Sequence, residues 1–97
     1  MAILIDTKRP QNQTTVHPKD AARGFTLEEM YALIGDGCSC VQAIDLGDGM
    51  TMWMDEEAKL RAFRPDANLQ ATQLLAHAGG IPGDVVLGKV LVCRKKG

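Results

Sequence analysis

The sequence predicts one α+β domain over residues 1–97, a mainly antiparallel sheet of about five strands packed with a pair of helices. Three observations predict it. A helix with full start signals begins at Phe25-Thr26. A strand follows, framed by Gly35-Asp36-Gly37 and Gly47-Asp48-Gly49. Near the end lies a valine-rich stretch that is apolar on both faces.

The elements follow in order. Residues 2–6 are a short apolar run and residues 13–17, Gln13-Thr14-Thr15-Val16-His17, read as a second strand. The polar segment between them makes a hairpin the economical reading, and Pro18 ends the second strand because it cannot donate to a ladder. Thr26-Leu27-Glu28-Glu29 is a capping box, with Phe25 and Met30 placed as a hydrophobic staple. Leu27, Met30, Tyr31 and Ile34 fall on one helical face, so the pattern predicts a helix over 27–34, closed by Gly35.

Cys38–Leu46 and Met50–Met54 then form a hairpin around Gly47-Asp48-Gly49. Loop length sets the faces, because a slip of one residue exchanges them. A three-residue loop is favoured, since it gathers Ile44, Leu46, Met50, Met52 and Met54 into one layer. Residues 55–63 suit either a hairpin turn with a strand or a short helix. Asp66 is the expected cap of a second helix whose Ala67, Ala71, Leu74, Leu75 and Ala78 form a stripe, ended by Gly79-Gly80. Residues 84–93 read as a strand covered on both sides, with Gly88 as a bulge or a tight bend.

Composition narrows the function classes. The chain is 45% hydrophobic and 24% charged, which is ordinary for a globular protein. Its net charge of −1, with basic residues scattered except at Arg94-Lys95-Lys96, argues against nucleic acid as a partner, because a general binder needs cationic excess to offset phosphate. No run approaches the roughly 20 apolar residues of a membrane span. The N-terminus lacks the basic start and long apolar stretch of a signal peptide. A cytoplasmic setting with free thiols is the expectation for the cysteines Cys38, Cys40 and Cys93.

The order of these features resembles domain-of-unknown-function family 3846, small proteins frequent in phages and prophages. The likeness covers most of residues 25–93. It rests on Asp55-Glu56-Glu57-Ala58, on Asn68-Leu69-Gln70-Ala71-Thr72, and on the valine-rich strand around Gly88. Family members often have glycine where this chain has Ala58. The resemblance implies a small accessory protein made during infection or carried in an integrated element, which would place it in the host cytoplasm. It implies no particular activity.

The candidate sites have bland alternatives. Cys38-Ser39-Cys40 puts two sulfurs on one strand face, but structural zinc needs a matching second pair, so buried thiols are the default and no metal is expected. The trio Asp55, Glu56 and Glu57 lacks the spaced oxygen ligands of a calcium loop and reads as a solvated turn. His17 precedes a loop proline, and His77 suits the last turn of a helix. The richest span is Trp53 to Thr72. Trp53, Lys59, Arg61, Arg64, Asn68 and Thr72 combine an aromatic face, cations and hydrogen-bonding groups suited to a phosphate-bearing or planar ligand. The competing reading is a Trp53 packed on the sheet beside a solvated cationic face.

The expected function is a non-enzymatic binding module of phage type, without cofactors. It would counter a host process, such as anti-phage defence, by sequestering a nucleotide-like ligand or a host protein. A homo-oligomer is a further expectation, since a small sheet leaves edges to cover. The alternatives are a regulator of host transcription or replication acting through protein or DNA, and a small enzyme.

Overall fold

The computed structural model describes residues 2–7, 13–35, 37–58, 66–79 and 84–94. Among the described residues, seven elements succeed one another: β1 (Ala2–Ile5), β2 (Gln13–Val16), α1 (Leu27–Ile34), β3 (Val41–Gly47), β4 (Met50–Asp55), α2 (Leu69–His77) and β5 (Val90–Arg94). The five strands form one antiparallel sheet in the order β2-β1-β5-β4-β3. This is the α+β architecture read from the sequence.

The place of β5 follows from its composition. Val90 and Val92 point to one face and Leu91 to the other, and all three are buried. A strand apolar on both faces is stable only where both are covered, so it sits between two hairpins. The helices supply the cover. α2 lies on one face, where Ala71 and Leu75 pack with Ile5, Met52, Val86, Val90 and Val92. α1 lies on the other, where Met30 joins Ala2, Leu91, Leu4, Val41 and Trp53.

The β3–β4 hairpin settles the register question in an unexpected way. Its turn is two residues long, not three: Gly47 pairs with Met50 around Asp48 and Gly49. Asp48 has φ 53° and Gly49 φ 75°, the paired positive angles of a type I′ turn, which Gly adopts freely and Asp tolerates. By simple alternation this turn would carry Ile44 and Leu46 away from the methionines. A register shift between Asp45 and Gly47 inserts Leu46 as an extra residue, and Asp45 Oδ1 accepts the Gly47 N–H at 2.9 Å there. Ile44, Leu46, Met50, Met52 and Met54 consequently share the α2 layer, as expected, although the device is a bulge.

Three further boundaries differ from expectation. Residues 38–40 lie outside β3, and the Cys38 N–H bonds to Gly35 O at 2.9 Å. The cap of α2 is Asn68 rather than Asp66, with Asn68 Oδ1 accepting the Ala71 N–H at 3.0 Å. Ala67 is spent on an isolated bridge to Leu87 and, like Ala78, is exposed. Residues 84–89 do not continue the ladder of β5; Gly88, at φ 81°, makes a bend between that bridge and the strand. Helix α1 keeps its expected limits and its capping box. After β4, Glu56 and Glu57 form a turn, and the helix-or-strand alternative for residues 59–63 lies outside the described residues.

A strapped cleft on the α1 face

Helix α1 cannot cover its whole face of the sheet. Eight residues make a helix about 12 Å long, whereas five strands span about 19 Å. Beside α1, which packs over β3, β4 and β5, the segment joining β2 to α1, residues 17–26, lies over the sheet near Trp53 and Cys93. A cleft of about 390 Å³ lies beneath it. Met30, Trp53 and Cys93 line it from the helix and sheet; His17, Pro18 and the stretch Arg23-Gly24-Phe25 line it from the strap, and Arg94 lies at its edge.

Local chemistry explains why the strap holds its shape. The Asp20 carbonyl accepts the N–H groups of Arg23 and Gly24, while Asp20 Oδ1 accepts those of Ala22 and Arg23. One aspartate thereby ties a compact turn. Glu29 then clamps the strap to α1: its Oε1 accepts the Thr26 N–H and its Oε2 the Lys19 N–H, each at 3.1 Å. The Thr26 hydroxyl accepts the Glu29 N–H and completes the capping box.

These backbone bonds, that from Lys19 first, lower the Glu29 pKa from its ordinary value of 4.5. A carboxyl with a lowered folded pKa contributes stability above its unfolded value and loses it as pH falls through the folded one. The strap is therefore expected to loosen as pH drops below 4.5. Faster amide exchange at Lys19 and Thr26 would report this. In a Glu29→Gln variant that acid-induced component should be absent.

The charge pattern of the cleft is one-sided. Among the described residues lining it, the charged or basic side chains are His17, Arg23 and Arg94, and none is a carboxylate. Arg23 is not wholly unopposed. Its Nε lies 3.8 Å from Asp20 Oδ2, but the Arg23 side chain is 86% exposed, and such surface pairs are weak. Burial pushes the Cys93 thiol pKa up.

Of the six residues singled out from sequence, the three that are described do not share one site. Trp53 lies in the cleft on the α1 face. Asn68 and Thr72 belong to the other layer, at the start of α2. Lys59, Arg61 and Arg64 lie outside the described residues. Asn68 is 1% exposed, and its amide nitrogen donates to Ile5 O at 3.1 Å and Gly88 O at 2.9 Å. Thr72 Oγ1 donates to Asn68 O at 2.8 Å and accepts the Val86 N–H at 2.9 Å. The Asn-x-x-Ala-Thr motif is thus a clip joining α2, β1 and the approach to β5.

The Cys-Ser-Cys segment is also stitched into the fold. Cys40 Sγ donates to Glu56 Oε2 at 2.9 Å, and Cys40 O accepts the Glu56 N–H at 3.0 Å. The hydrogen bond to Glu56, with a smaller contribution from burial, pushes the Cys40 thiol up to about 11. Cys38 Sγ donates to Cys40 O, and all three cysteines are thiols rather than disulfides. Among the described residues no group of three His, Cys, Asp or Glu side chains could hold a metal ion. No helix of the described chain is long and apolar enough to cross a membrane.

Sequence reasoning missed the strap. His17, Arg23 and Phe25 were each legible, but as a strand end, a scattered cation and a staple residue. Only the run from His17 to Phe25, with Asp20 as a turn former, hinted at an ordered loop.

Fold and cleft together define a class of protein: a small antiparallel sheet between two helices, with a strapped hollow where the shorter helix leaves one face open. The chain belongs to the family described as domain of unknown function (DUF3846), whose family model matches residues 1–97, the whole chain. Comparison with curated proteins and with solved structures returned no match.

Proposed function

We propose that this protein is a non-enzymatic binding module whose strapped cleft takes up a small nucleotide-like ligand and withholds it from a host process. One observation carries this reading. Trp53, His17 and two guanidinium groups, Arg23 and Arg94, line a single cleft with no carboxylate among the described residues, in a chain whose net charge is −1. An aromatic face stacks on a heterocycle, and guanidinium groups bond phosphate. The volume falls within the roughly 300–1,000 Å³ range of small-molecule sites. The phage setting, and with it a role against host defence, is suggested by the family resemblance.

Native mass spectrometry of the purified protein with a panel of nucleoside monophosphates, cyclic nucleotides and nucleoside triphosphates tests the proposal. A bound nucleotide is expected, recovered chemically unchanged after release. Recovery of an altered nucleotide would replace the binding module with an enzyme. Failure to bind any member would turn the reading to a host protein as partner.

A further inference from the structure

The cleft has a neighbour of different electrostatic character. An open trough of about 610 Å³ lies between the strap and α1 and shares His17, Arg23, Gly24 and Phe25 with the cleft. Three carboxylates line this trough: Asp20, Glu28 and Glu29. The shared wall thus separates a hollow with basic charges from one where acids face Lys19, Arg23 and His17.

Resting on the reading of the cleft as a nucleotide site, we infer that the protein selects ligands bearing a single negative charge, such as a cyclic phosphodiester, over polyphosphates. A ring stacked on Trp53 leaves its anionic group beside the Arg23 wall. One phosphodiester charge can be met there by Arg23 and His17. A triphosphate chain continuing past that wall enters the trough, where the carboxylates of Asp20, Glu28 and Glu29 outnumber the cations Lys19 and Arg23 and repel it. Hydrogen bonding does not remove this repulsion. Glu29 spends its oxygens on Lys19 and Thr26 N–H groups, which favour its charged form, and Asp20 spends one oxygen on the Ala22 and Arg23 N–H groups. Like charges brought together at an interface are a recognised source of discrimination.

The test compares cyclic adenosine monophosphate with adenosine triphosphate, so that the base and sugar are common to both. Titrations by calorimetry on the wild-type chain are expected to show the triphosphate binding about tenfold more weakly or worse. Added salt should narrow the gap by screening the exposed carboxylates. In a Glu28→Gln variant, at an exposed position outside the strap clamp, the gap should shrink roughly threefold. Equal or tighter triphosphate binding would overturn the selectivity while leaving the nucleotide site standing. A gap unmoved by both salt and Glu28→Gln would overturn its electrostatic origin. Binding of neither nucleotide would remove the site and the selectivity together.

Discussion

Asn68→Ala is expected to destabilise the protein by about 3 kcal/mol, lowering the melting temperature by roughly 10–25 °C in thermal unfolding followed by circular dichroism. The loss has separable parts. Removing the cap leaves the Ala71 N–H without its acceptor, a change of about 0.5–2 kcal/mol at typical N-caps. Removing the amide nitrogen deprives Ile5 O and Gly88 O of a buried donor, and a buried unsatisfied polar group costs about 1–3 kcal/mol. For a domain whose whole stability is about 5–15 kcal/mol, this is a large fraction. Leu69→Ala, one residue along and 74% exposed, is the contrast and should change stability by about 0.5 kcal/mol or less.

Asn68→Asp separates the two roles. The introduced carboxylate can still accept the Ala71 N–H, but it faces two carbonyl oxygens where an amide donated. Its folded pKa should therefore be raised. A raised folded pKa means stability present at low pH and lost as pH rises through that value. The variant should consequently regain stability on acidification, the opposite of the trend expected from Glu29. Denaturant titrations across pH would read that sign directly.

Trp53→Ala is expected to weaken nucleotide binding by roughly 10–100-fold, corresponding to the loss of about 1–3 kcal/mol of base stacking. Trp53→Phe should retain most of the affinity, because it keeps an aromatic face against Leu91 and Ala43, the cross-strand neighbours. Trp53 is the sole tryptophan of the chain, so its emission in the wild-type protein reports events in the cleft without a label. Full affinity in Trp53→Ala would place the ligand elsewhere. The comparison with Trp53→Phe guards against a loss that merely reflects a weakened sheet.

Much of the local structure was legible because its causes are local. Thr26 and Glu29 are three residues apart, and their capping box closes within one helical turn. The hairpin around Gly47-Asp48-Gly49 was equally visible, as was the two-faced burial of the last strand. The turn length was misread because alternation alone cannot reveal a bulge. The bulge at Leu46 is the cheaper solution: it keeps the tight type I′ turn and still delivers Ile44 and Leu46 to the apolar layer. The α2 cap was misassigned to Asp66 for a related reason. Asn68 is favoured by partners far along the chain, Ile5 and Gly88, which no local window includes.

The sequence by itself determined where α1 starts, where the chain turns, and which segments alternate or stay apolar. These properties depend on backbone preferences and on neighbours a few residues away. Only the tertiary structure decided that β5 lies between β1 and β4, that Trp53 and Asn68 belong to opposite layers, and that residues 17–26 roof a cleft. The physical reason is coverage. Each face of the sheet must be shielded by something, and a helix of eight residues is too short to shield all of its face. What remains open, and which loop folds over it, depends on lengths and registers set across the whole chain.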